Sequence, residues 1–223
     1  MSEPRATLAF LQAEFEAIYG VTAPQVGDYL LGREGARAAG AEPAGREALL
    51  VRQEEGGLAL GLFLDEAVLR GAAAADPHHP RPQLTRRSCL DEVACAAEGV
   101  SHFVYLATRA VAGRPVSLLE LEVQAEVDKF ALLLLHLWRR GLRRASGALR
   151  RRLFERVGYQ EGLGEEDLER YRTANRLGGG YARWLEGRFV EDADVEGLLR
   201  ELRASYRLGG GEKLGHLAAR AMN

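Results

Sequence analysis

The chain has 223 residues, 47% of them hydrophobic and 28% charged, and a formal net charge of −2. That balance belongs to a globular protein able to bury a sizeable core, and it excludes any global attraction to nucleic acid or anionic membrane. No apolar run approaches the ~18–20 residues that a membrane span requires, since the longest, Ala131 to Leu135, soon meets His136, Arg139 and Arg140.

The start of the chain, with Glu3 and Glu14, lacks the basic and apolar blocks of a signal peptide. Cys89 and Cys95 are the only cysteines. On a straight helix they stand ~9 Å apart along the axis, beyond disulfide reach. Both features predict reduced thiols in a cytoplasmic protein.

In chain order, Ser2 and Pro4 open a helix whose Leu8, Leu11, Phe15 and Ile18 form one apolar face, and Gly20 stops it. Val26 to Leu31 is a short apolar piece of ambiguous state, and residues 32–46 read as loop or weak helix. A β-hairpin is expected over about 48–65. Leu49 to Val51 lead into Glu54-Glu55-Gly56-Gly57, and Leu58, Leu60, Leu62 and Leu64 then alternate. A lone hairpin is marginal in water, so it should pack on helices or pair with a strand near Val26 to Leu31.

A short helix follows over Leu64 to Ala74. Residues 76–84, which include Pro77, His78, His79, Pro80 and Pro82, form a proline-punctuated connection. Helices are then predicted over about Thr85 to Val111, Ser117 to Arg140, Ser146 to Val157, Glu165 to Phe189 and Asp194 to the C-terminus. The expected fold is mainly α: a small N-terminal α+β portion (1–75) with the hairpin, and a C-terminal antiparallel helical bundle (85–223).

On the helix over 85–111, Asp91, Cys95, Glu98, His102, Tyr105 and Arg109 share an arc of roughly 80° at 100° per residue. The opposite arc is an apolar stripe from Val93 through Val100, Phe103 and Val104 to Val111. The helix over 117–140 differs, with Glu120, Gln124 and Asp128 on one polar arc, Glu122, Glu126, Lys129 and His136 on another, and apolar rows between. A helix buried on two flanks sits inside a bundle, so an acidic arc should be partly enclosed.

Candidate catalytic residues are Glu98, His102, Tyr105, Arg109, Glu122 and Glu126, because carboxylates and a histidine facing one another across helices can build acid–base or metal chemistry. The spacing Glu98-x-x-x-His102 is also that of an ion pair along a helix. The simpler expectation is a solvated or inter-helix polar face, with no metal and no cofactor. Nucleophile elbow, P-loop and His-Glu-x-x-His patterns are absent. His78 and His79, lacking nearby cysteines or carboxylates, read as surface loop.

Ala174-Asn-Arg-Leu-Gly-Gly-Gly180 recurs as Ser205-Tyr-Arg-Leu-Gly-Gly-Gly211. Three glycines would cost a helix interior about 3 kcal/mol relative to alanine. Each run should therefore end a helix, kink it, or permit close backbone packing. Tyr171, Arg172, Asn175, Arg176, Tyr181 and Trp184 form a polar and aromatic group of a composition enriched at interfaces.

The strongest charge bias is eight arginines against one acid over 139–156, answered by eleven acids against six arginines over 161–201. Arg139, Arg140, Arg143, Arg144, Arg150, Arg151 and Arg152 are the candidate partner-binding residues. The two segments could neutralise each other, across the fold or between copies of the chain, or the basic one could dock an acidic protein. Nucleic acid is disfavoured because no aromatic residue is interleaved before Phe154. The sequence thus points to an interaction or regulatory protein without chemistry of its own. A phosphate or nucleic-acid binder, and an enzyme or metal protein with its site between the helices over 85–111 and 117–140, are the alternatives.

Overall fold

The computed structural model describes residues 3–42, 45–55, 57–75, 84–85, 88–159 and 162–222. The expected cap Ser2, Gly56 of the hairpin turn, and the proline-rich run with His78 and His79 lie outside them. The fold is mainly α with one small sheet. It divides into two units: residues 1–17 with 21–113, and residues 18–20 with 114–223. Residues 85–111, expected within the bundle, instead group with the N-terminal elements.

In the first unit, α1 (Glu3–Tyr19) buries Leu8, Leu11 and Phe15, and Gly20 ends it with φ 65°. The buried Gln12 fastens the chain that follows. Its amide donates to the carbonyls of Ala23 (3.2 Å) and Pro24 (2.9 Å), and its oxygen accepts from the Val26 N–H at 2.8 Å. A 3-10 turn (Val26–Asp28) leads into β1 (Leu30–Leu31), which settles the state of the ambiguous apolar piece. Helix α2 (Arg33–Ala38) is short, as its weak pattern suggested.

Strands β2 (Glu47–Glu54) and β3 (Gly57–Leu64) pair antiparallel with Glu47 opposite Leu64, and β1 adds to β3 in parallel, giving the order β1-β3-β2. The expected third strand is therefore present. Asp65 caps α3 (Glu66–Ala73) by accepting from the Ala67 N–H at 2.9 Å. Helix α4 (Leu90–Val111) packs on β2, β3 and α3. Gly99 permits the approach to the sheet, because a Cβ there would sit 2.9 Å from Glu47 Cγ and 3.0 Å from Leu62 Cδ1.

In the second unit, Ser117 caps α5 (Leu118–Arg139) through the Glu120 N–H at 3.2 Å. After a 3-10 turn (Arg143–Ala145) come α6 (Ser146–Phe154) and α7 (Glu165–Leu185), which continues as a π-helical turn over Glu186–Val190. The single helix expected from Asp194 onward is two. Asp194 caps α8 (Val195–Arg207), Leu208 and Gly209 are extended, and α9 (Gly210–Ala221) begins where Gly210 takes φ 53°. Helix α7 packs on α5, α6 and α9 around Phe130, Phe154, Tyr181, Leu185, Leu202 and Leu217.

Candidate functional site

The polar row of α4 is not a solvated face. Asp91 is exposed and Cys95 and Glu98 are half-buried, but His102, Tyr105 and Arg109 are buried, Tyr105 completely. The apolar stripe opposite is buried from Val93 to Ala107, with only Val111 open at the end. Of the two forms expected, solvated or inter-helix, the solvated one does not hold for His102, Tyr105 and Arg109, because this stretch of the helix is covered on both arcs.

Burial then obliges the polar groups to find partners. His102 Nδ1 lies 3.3 Å from Glu47 Oε1 at the start of β2, and Arg109 donates to the Tyr105 hydroxyl at 2.6 Å with its guanidinium 4.8 Å from that ring. A carboxylate oxygen of Glu98 and a ring nitrogen of His102 fall within 4.8 Å of each other. Sequence reading missed Glu47: only the strand register, with Gly99 letting α4 close on the sheet, brings it to His102. Cys89 and Cys95 form no disulfide.

Glu122 and Glu126 belong to the second unit, where Glu122 is buried and Glu126 is half-buried and pairs with Lys129 at 3.1 Å. The other arc of α5 is enclosed, as its two-flanked pattern predicts. Glu120, Gln124 and Asp128 are each 1% exposed. Gln124 donates to Asp128 at 2.6 Å, and the Tyr19 hydroxyl donates to the same carboxylate. Tyr19 stacks on Tyr206 at 4.0 Å, and the fully buried Lys213 lies 5.4 Å from the Tyr206 ring. Burial, and then the Asp128 charge, push the Tyr19 pKa well up.

The arginine segment spans the end of α5, the 3-10 turn and α6. Arg150 is tied down, 2.5 Å from Glu186 and 3.1 Å from Glu155. Arg143, Arg144, Arg151 and Arg156 make no ion pair among the described residues, and all but the half-buried Arg143 are exposed. Neutralisation by the acidic segment therefore reaches Arg150, through Glu186, and leaves those four unmatched. Phe154 turns inward against Phe130 and the Gly178–Gly179 backbone, and offers no stacking surface.

A second polar centre was only half visible in the sequence. Glu201 of α8 accepts from the Tyr181 hydroxyl at 3.0 Å and lies 2.8 Å from His216 Nε2 and 2.7 Å from Arg220 Nε. Burial and then the Glu201 charge raise the Tyr181 pKa. Arg220 in turn lies 4.9 Å from the Trp184 ring. Tyr181 and Trp184 belonged to the aromatic group noted in the sequence. Glu201, His216 and Arg220 did not stand out, because α8 and α9 converge on α7 only in the fold. Of the rest of that group, Asn175 caps α6 by donating to the Phe154 carbonyl at 3.0 Å.

Compared with protein-family models, with curated proteins and with solved structures, the chain has no significant match to any of the three. Among the described residues no helix is long and apolar enough to cross a membrane.

Proposed function

We propose that this protein is an interaction or regulatory module that docks an acidic protein segment on the arginine surface of the 3-10 turn and α6. One observation carries the reading: Arg143, Arg144, Arg151 and Arg156 have no ion-pair partner among the described residues, while Arg150 anchors the segment that bears them. Guanidinium groups prefer carboxylate partners held bidentately, and unmatched ones on a segment fastened by Arg150 are ready for such partners. The inward Phe154 argues for acidic protein over single-stranded nucleic acid, which needs aromatic stacking platforms.

The test compares a poly-glutamate peptide, single-stranded DNA and duplex DNA at two salt concentrations. The peptide should bind the wild type and lose at least about tenfold in affinity when Arg143, Arg144, Arg151 and Arg156 are all changed to Ala, equivalent to ~1.4 kcal/mol. Tighter binding of DNA than of peptide, with a steep salt dependence, would replace this reading with the nucleic-acid one.

A second reading, divalent-metal binding at Glu98 and His102, is favoured by the Glu47 carboxylate at His102 Nδ1. A carboxylate there fixes the ring and its tautomer, as outer partners of metal-ligating histidines do. Titration calorimetry with Zn²⁺ on wild type, Glu98→Gln and His102→Ala decides it. Stoichiometric binding lost in both variants supports a site, and its absence in the wild type removes the reading.

A further inference from the structure

Helix α7, its π-turn and the end of α9 enclose a depression of about 280 Å³ lined by Gly180, Arg183, Trp184, Gly187, Arg188 and Arg220, with Ala221 beside them. The floor is the crossing of α7 and α9, where a Cβ on Gly180 would stand 2.5 Å from that of Ala221. The rim is the π-turn, whose extra residue shows in the Glu191 N–H bonding the Glu186 carbonyl five positions back at 3.3 Å. A π-turn alters the register of a helix face, and such turns are rare and recur at functional sites. Here the turn supplies Gly187 and Arg188 to the rim, and nothing lies within 4 Å of where a Gly187 side chain would start.

The lining carries three guanidinium groups and no carboxylate. Arg183 and Arg188 are exposed and form no ion pair among the described residues. Arg220 is held in place by Glu201 at 2.7 Å and lies over Trp184. Trp184 supplies apolar surface beside Arg220. Trp184 is half-buried, its ring 5.8 Å from Tyr181 and 5.6 Å from Phe189. Guanidinium groups recognise phosphate and carboxylate oxygens, while an aromatic wall of this kind rewards an apolar, planar body. The volume lies just below the usual range of ligand pockets and so suits a small ligand.

We propose that this depression binds a small organic anion, a phosphate monoester with a planar body, through Arg183, Arg188 and Arg220 with Trp184 as its apolar wall. The inference concerns residues distinct from the α6 arginines and stands apart from the docking reading.

Trp138 and Trp184 are the only tryptophans, so Trp138→Phe makes Trp184 the sole indole reporter. Phenyl phosphate should change its emission saturably, binding at least tenfold tighter than inorganic phosphate and tighter than benzoate. The Arg183→Ala/Arg188→Ala double variant, which removes two exposed side chains, should weaken that binding at least tenfold with circular dichroism unchanged. Arg143→Ala/Arg144→Ala should leave it intact, which separates this site from the α6 surface. Calorimetry on the wild type provides the same readout should Trp138→Phe fail to fold. No saturable binding of phenyl phosphate, or equal binding by the Arg183/Arg188 double variant, would overturn the proposal. Equal affinity for inorganic and phenyl phosphate would overturn the role given to Trp184, and benzoate binding more tightly would overturn the phosphate class.

Discussion

The two copies of the motif ending in three glycines, 174–180 and 205–211, are nearly the same in sequence and opposite in structure. Gly178, Gly179 and Gly180 lie inside the unbroken α7. There each missing side chain is filled by a neighbour: a Cβ on Gly178 would stand 2.7 Å from Glu126 Cβ of α5, one on Gly179 3.1 Å from Phe154 of α6, and one on Gly180 2.5 Å from Ala221 of α9. In the second copy the helix stops at Arg207 and restarts at Gly210, with nothing within 4 Å of a Cβ on Gly210 or Gly211. The break is held from both sides. Arg114 donates to the Arg207 carbonyl at 3.0 Å, and the buried Glu120 accepts the Gly210 N–H at 3.0 Å, a carboxylate at a helix N-terminus. Glycine removes a side chain and a conformational restriction together, and the surroundings decide which of the two is used.

Substitutions should separate these roles. The largest effect is expected for Gly180→Leu, which forces α7 and α9 apart and should lower unfolding free energy by about 3 kcal/mol in denaturant titration. A change under about 0.5 kcal/mol would mean the crossing is not close-packed. Gly210→Ala should cost about 1 kcal/mol, because φ 53° is unfavourable for a residue with a Cβ. Gly211→Ala should instead stabilise by about 0.5 kcal/mol, since its Cβ enters open space and the unfolded chain loses freedom. An equal loss at Gly210 and Gly211 would refute the assignment of the break.

The effect that is smallest near neutrality concerns Tyr181, the residue that follows the first run. The folded-state pKa of Tyr181 is raised above its ordinary 10.0 by burial and by Glu201. Its contribution to stability is therefore complete below pH 10 and is lost as the pH rises beyond, when the unfolded state releases the proton first. Stability measured from pH 8 to 11 should fall less steeply in Tyr181→Phe than in the wild type. An unchanged slope would show that the hydroxyl is neither buried nor held by Glu201 in solution.

Much was legible from local pattern. The 3-4 spacing of Leu8, Leu11, Phe15 and Ile18 and the alternation from Leu58 to Leu64 marked a helix and a strand whose hydrogen bonds are made within or next to the segment. The two-flanked pattern of α5 pointed to a partly enclosed acidic arc, and the structure shows that Glu120, Gln124 and Asp128 form one. By contrast, three outcomes depend on which surfaces meet. His102 is paired with Glu47, 55 positions away; Tyr19 reaches Asp128, 109 positions away; and Glu201 gathers Tyr181, His216 and Arg220. Local pattern sufficed for most helices and strands and for their apolar faces, because those follow from backbone hydrogen bonding and the 3.6- and 2-residue periods. Whether a polar row is wet or buried, and whether three glycines continue a helix or end it, followed from packing, because both depend on the atoms that residues distant in the chain bring within van der Waals reach.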